Sequence, residues 1–157
     1  MNVACYGDGP DGTAVTINGW TTGPETYINI FTPVLPGHVG TTQRHSGVWD
    51  ATKYRLVGSQ TFAGMLLIQD DYVRVTGLQI ENTAAQNNRP AGIEVFPGTA
   101  AAEVRISHNI LRATGTGTGD WWAAGVAHRA NSGPGGVLKV SNNIIYDWGA
   151  GIFLEYA

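Results

Sequence analysis

Three stretches decide the fold: Tyr72-Val-Arg-Val-Thr-Gly-Leu-Gln-Ile80, Glu103-Val-Arg-Ile-Ser-His-Asn-Ile-Leu111 and Val137-Leu-Lys-Val-Ser-Asn-Asn-Ile-Ile145. They start at positions 72, 103 and 137, offsets of 31 and 34 residues, and they set Val75, Ile106 and Val140 in one column and Ile80, Leu111 and Ile145 in another. Within each copy apolar and polar residues alternate, as in Val73-Arg74-Val75 and Val104-Arg105-Ile106. That period of two marks a strand with one buried face. A second motif is interleaved with the first: Gly92-Ile-Glu-Val95, Gly125-Val-Ala-His128 and Gly151-Ile-Phe-Leu154, with Gly64-Met-Leu-Leu-Ile68 as the preceding member. A strand pair alone cannot bury its apolar face, whereas stacked copies close a continuous core. A period near 30 residues with no helical segment between strands therefore predicts a solenoid of β-coils rather than a βαβ array.

The composition agrees. The 157 residues are 43% hydrophobic and only 13% charged, enough for one domain with a core and too few to expect two. Twenty-two glycines scattered among Val, Ile and Thr exclude a helical bundle and place the chain in the all-β class. Nine Lys and Arg against twelve Asp and Glu give a net charge of -3, without the basic excess that a nucleic-acid partner requires. No apolar run reaches the roughly 20 residues of a membrane-spanning helix, so no membrane insertion is expected. The single Cys5 excludes an internal disulfide and a Cys-based zinc site. Low charge density, many Thr and Asn, and five Trp point to an extracellular or cell-surface protein.

On these columns, and on the pattern Ile106-Ser-His-Asn-Ile110 and Val140-Ser-Asn-Asn-Ile144, the chain resembles the right-handed parallel β-helix (pectate-lyase-like) superfamily, and uncharacterised secreted bacterial members of it in particular. The resemblance implies that Asn109 and Asn143 stack at a bend between two sheets, with Leu78 in the same column one coil earlier. Residues 60–157 form the regular coils and residues 1–59 an opening coil, with a long loop projecting between Thr32 and Trp49, giving a single domain of about four to five coils. The count is small for the superfamily, and the last strand, Gly151 to Tyr156, carries no cap. The chain is accordingly expected to be a fragment of a longer protein, or to associate with copies of itself through exposed coil ends.

In the superfamily, substrate lies along one sheet, here the series of Gly64, Gly92, Gly125 and Gly151. Taking Ile93, Val95, Ile152 and Leu154 inward turns Glu94, Arg129, Phe153 and Glu155 outward. Glu94, Arg129 and Glu155 are then the candidate catalytic set, a cation flanked by carboxylates that suits a base acting on acidic sugar; the alternative is a solvated ion-pair ladder. Trp121 and Trp122 precede the same sheet and, with Phe153, are candidates for stacking against sugar rings, the competing reading being that they cover a core edge. The loop from Thr42 to Asp50 concentrates Arg44, His45, Trp49 and Asp50; Arg44 and His45 are further candidate substrate contacts, and His45 with Asp50 is a candidate acid/base pair. His128 takes an inward position and is read as a hydrogen-bonded interior residue. Asp8 with Asp11, and Asp70 with Asp71, lack the ligand spacing of a calcium loop and read as turns, so no metal or other cofactor is expected. Gly115-Thr-Gly-Thr-Gly-Asp120 has no following helix and is not a nucleotide loop.

Two functions follow: a secreted module that binds extracellular polysaccharide or serves adhesion or spacing, and, as the alternative, a lyase or hydrolase acting on acidic polysaccharide.

Overall fold

The computed structural model describes the chain except for residues 36, 39–41, 97, 100–101, 117–119, 130–135 and 156–157. Fifteen strands wind through three sheets of five, every pairing parallel. Sheet A takes β1 (Asn2–Ala4), β4 (Ile28–Phe31), β7 (Tyr72–Thr76), β10 (Glu103–Ser107) and β13 (Val137–Ser141). Sheet B takes β2 (Pro10–Asp11), β5 (Arg55–Gly58), β8 (Gln79–Asn82), β11 (Ile110–Ala113) and β14 (Ile144–Tyr146). Sheet C takes β3 (Val15–Ile17), β6 (Gly64–Ile68), β9 (Ala91–Val95), β12 (Ala124–His128) and β15 (Ala150–Leu154). The result is a parallel β-helix of five coils. No α-helix occurs among the described residues.

The pairing register reproduces the columns legible in the sequence. Ile30, Val75, Ile106 and Val140 stack inside sheet A; Leu56, Ile80, Leu111 and Ile145 inside sheet B; Leu66, Ile93, Val126 and Ile152 inside sheet C. These positions fill the lumen, and in the middle coils they are sealed from solvent. Two details differ from expectation. Gly64 pairs with Ala91, so Met65 rather than Gly64 stands opposite Gly92, and the glycine series is in register only over Gly92, Gly125 and Gly151. Ile152, placed in the core by its alternation, is 48% exposed because β15 is the last strand of its sheet and no coil lies beyond it.

The corner between sheets A and B runs over residues 5–9 in the first coil and 32–54 in the second, and becomes regular after that. In the last three coils it is two residues long: Gly77-Leu78, His108-Asn109 and Asn142-Asn143. The first residue of each pair is left-handed, with φ of 81° at Gly77, 57° at His108 and 55° at Asn142. The left-handed turn thus falls on the residue before the stacked Asn, and the Asn amide itself does the hydrogen bonding. Asn109 Oδ1 accepts the Leu78 amide at 2.9 Å while its Nδ2 donates to the Val75 carbonyl at 3.2 Å and to Asn143 Oδ1 at 2.9 Å. Asn143 repeats the pattern one coil on, accepting the Asn109 amide and donating to the Ile106 carbonyl, each at 2.9 Å. A sharp corner leaves backbone groups without ladder partners inside the wall, and the amide column satisfies them. At Gly77 the corner is too crowded for a side chain, since a Cβ there would lie 2.5 Å from Thr32 Oγ1.

Both ends of the lumen are open. At the first coil, Val15, Ile17, Ile30, Leu56 and Leu66 line an apolar recess of about 430 Å³, with Asp11 in the inward column of Leu56 and Ile80 and Pro10 in the edge strand β2. At the fifth coil the inward residues Leu138, Val140, Ile152 and Leu154 line an open recess of about 390 Å³ together with His128.

Candidate functional site

Sheet C carries most of the residues singled out in the sequence. Pairing of β9, β12 and β15 sets Glu94, Ala127 and Phe153 on one outward rung and brings Arg129, Phe96 and Glu155 onto the next, since the backbone amides of Arg129 and Glu155 continue the ladder to Val95 and His128. Glu94 and Arg129 meet diagonally. The Arg129 Nε donates to Glu94 Oε1, and Glu94 Oε2 accepts the Gly64 amide at 2.7 Å. Although both point outward, Glu94 is 2% exposed and Arg129 5% exposed. The pair is therefore a buried ion pair within the wall; each carboxylate oxygen accepts one hydrogen bond, and burial keeps its remaining lone pairs away from solvent. The Arg129 Nη1 and Nη2 atoms are buried without a hydrogen-bond partner. Glu155 is half-buried and forms no ion pair among the described residues, so the structure joins two members of the expected trio and leaves the third apart.

The aromatic residues converge. Trp121 and Trp122 lie in the turn before β12 with ring centroids 4.1 Å apart, and both pack against Phe153 of β15, at 5.5 and 5.0 Å. Phe153 bridges them to the buried pair, its ring 5.6 Å from the Arg129 guanidinium carbon. On the other side the Arg89 guanidinium stacks 4.0 Å over Trp122. Arg89 Nε has no hydrogen-bond partner. Trp121 is 58% exposed, Trp122 half-buried. Trp122 is held between a cation and Phe153, and Trp121 presents its indole to solvent. Arg89 escaped sequence analysis because it precedes β9 in a connection that does not follow the repeat columns.

The loop around His45 is a brace against the corner column, away from sheet C. Arg44 donates from Nε to Thr32 Oγ1 at 3.4 Å and from Nη2 to the Thr32 carbonyl at 3.3 Å, and Thr32 Oγ1 in turn donates to the Gly77 carbonyl at 2.7 Å. His45 lies 2.9 Å through Nε2 from the His108 carbonyl, while its Nδ1 accepts the Gly47 amide at 3.1 Å, which fixes the neutral Nε2–H tautomer. Burial, aided by the nearby Arg44 charge, lowers the His45 pKa against the opposing pull of the His108 carbonyl. Asp50 turns the other way, its Oδ1 accepting from the Thr52 amide and hydroxyl at 2.8 and 2.6 Å, so His45 and Asp50 have separate partners. Trp49 lies under the Arg112 guanidinium at 3.7 Å on the outside of sheet B. His128 faces the recess of the fifth coil rather than a hydrogen-bonded interior: its Nε2 is buried without a partner, and desolvation lowers its pKa.

Asp70 and Asp71 each accept backbone amides. Asp70 Oδ1 accepts the Gly19 and Trp20 amides at 2.9 and 3.2 Å, and Asp71 accepts the Gly98 amide and the Thr99 hydroxyl at 2.9 and 2.7 Å. Part of the Gly115–Asp120 loop lies outside the described residues. No grouping of three or more metal-ligating side chains occurs among the described residues.

Comparison with family models, with curated proteins and with solved structures finds no match to the chain. The placement in the pectate-lyase-like superfamily therefore rests on the sequence pattern alone, and the function rests on the site.

Proposed function

We propose that the protein is an extracellular glycan-binding module whose contact surface is the Trp121–Trp122–Phe153 platform on the outer face of sheet C. The observation that carries this reading is the geometry of the three rings, contiguous and within 5.5 Å of one another, with Trp121 more than half exposed. A sugar ring presents a flat face of C–H groups that stacks on an indole, and a rigid sheet holds that indole with little ordering cost. Arg89 beside Trp122 supplies N–H donors for ring hydroxyls at the platform edge. The burial of Glu94 and Arg129 as an ion pair favours binding over catalysis, because a general base must be within reach of the substrate proton.

The test is affinity electrophoresis and isothermal titration calorimetry against neutral glucans, pectin and alginate, with Trp121→Ala and Glu94→Gln. Retention of the native protein lost in Trp121→Ala supports the reading. The absence of retention on every glycan refutes it. Appearance of unsaturated products that Glu94→Gln abolishes replaces it with the lyase alternative.

A further inference from the structure

The outer face of sheet A carries a feature that neither the repeats nor the aromatic platform accounts for. Pairing puts Asn2, Asn29, Arg74, Arg105 and Lys139 in one column running along the solenoid, one residue per coil. Three of the nine basic residues of an acidic chain thus stand in line on adjacent rungs. With rungs about 4.8 Å apart, they span about 10 Å. Parallel in-register pairing forces this: no stagger separates the like charges.

The surroundings of this column are those of a binding trough. A concavity of about 390 Å³ lies over the Arg74 and Arg105 part of it, lined also by Glu25, Tyr27, Tyr72 and Glu103. Arg74 stacks 3.3 Å over the Tyr27 ring, which holds its guanidinium in place. Arg105 and Lys139 are each about half exposed. Their only anionic partner among the described residues is Glu103, which pairs with both. Beside the cations, Thr76, Ser107 and Ser141 form a parallel row of hydroxyls, and Asn2 and Asn29 prolong the column as neutral hydrogen-bonding groups. A line of cations flanked by hydroxyls and amides matches a linear polymer rich in both anionic and hydroxyl groups; a DNA strand lacks the hydroxyls, and an RNA strand has one 2′-hydroxyl per phosphate against the several on each unit of a sugar polymer.

Glu103 narrows the anion. The bridge between Arg105 and Lys139 is already made by a carboxylate, so a ligand carboxylate would exchange with Glu103 for equal contacts. A sulfate ester offers three terminal oxygens and engages both cations together with a neighbouring hydroxyl. We propose that the outer face of sheet A is a binding site for a linear sulfated polysaccharide, gripped by Arg74, Arg105 and Lys139, with Glu103 as an internal counter-ion that the ligand displaces. The site lies on a different sheet from the tryptophan platform and stands independently of it.

The experiment is fluorescence anisotropy with a fluorescein-labelled heparin oligosaccharide, competed by polygalacturonate and by a single-stranded oligonucleotide. Removing one charge-assisted contact on an exposed surface corresponds to roughly a two- to five-fold loss of affinity, so Arg74→Ala, Arg105→Ala and Lys139→Ala are each expected to weaken binding by that factor and to flatten its salt dependence. Glu103→Gln is expected to tighten binding, a gain that a purely structural role for Glu103 would not produce. Arg55→Ala, on sheet B, is the control for net charge. Ladder variants that bind as the native protein does, an Arg55→Ala loss as large as theirs, Glu103→Gln weakening the complex, or polygalacturonate or oligonucleotide competing as well as heparin would each overturn the proposal. Far-UV circular dichroism of every variant separates lost binding from lost fold.

Discussion

Replacing Asn109 with alanine tests whether the corner amides hold the coils together. The side chain is fully buried and makes three hydrogen bonds, accepting from the Leu78 amide and donating to the Val75 carbonyl and to Asn143 Oδ1. Its loss orphans the buried Leu78 N–H, worth about 1–3 kcal/mol, and removes two further bonds of about 0.5–1.5 kcal/mol each, part of which relaxation recovers. The expected destabilisation is about 2–4 kcal/mol. The same substitution at Asn143 is expected to cost about 1 kcal/mol, because Asn143 is half-buried on the last coil and water reaches the groups it leaves behind. Urea titrations followed by far-UV circular dichroism give both values on one instrument. An Asn109→Ala loss below 1 kcal/mol, or a larger loss for Asn143→Ala, would show that the amide column is a consequence of the corner rather than its cause. Asn109→Asp sharpens the comparison: it keeps the acceptor for Leu78, loses the donor to Val75 and buries a charge, so its deficit should shrink as the solution is acidified.

Glu94→Ala leaves the buried Arg129 without its counter-charge and is expected to cost about 3–5 kcal/mol, with Glu94→Ala/Arg129→Ala recovering a substantial part in thermal melts. Gly77→Ala meets both a positive φ of 81° and a contact with Thr32, and its melting temperature should fall. Burial raises the Cys5 pKa to about 11, ahead of the opposing Tyr54 hydrogen bond, so native protein should resist iodoacetamide at pH 8.5 while urea-unfolded protein reacts promptly. Because the folded value lies above the unfolded one, the contribution of Cys5 to stability is intact below pH 9 and disappears between pH 9 and about 11, which denaturation midpoints across that range should register.

Sheets A and B were legible in the last three coils because their strands flank a two-residue corner there, so the same spacing recurs; in the first two coils the corner takes residues 5–9 and 32–54 and the repeat is lost. The connections from sheet B to sheet C run from residue 83 to 90 in one coil and from 147 to 149 in another. This variation is why the glycine series was misaligned by one position at Gly64. Alternation reports which way a side chain points and nothing of what lies over it. Glu94 and Arg129 were correctly turned outward, yet their burial depends on a diagonal partner and on Phe153 one coil further on, neither of which has a signature in the local pattern. The cation column on sheet A was present in the aligned repeats as Arg74, Arg105 and Lys139, but it acquires meaning only when parallel register makes the three of them neighbours.

The two open lumen ends bear on how this chain comes apart. In a stacked array each coil leans only on the coils beside it, so unfolding starts where a coil has a neighbour on one side only. The first and fifth coils, whose inward residues Val3, Val15, Ile152 and Leu154 are already wetted, should exchange their amide hydrogens first, and protection should rise toward the third coil. Trp148 sits on that fifth coil, whereas Trp49 is braced against Arg112 over the middle of the stack. With Trp20, Trp121 and Trp122 replaced, fluorescence from the two remaining indoles would show the fraying of an end coil ahead of the main cooperative transition.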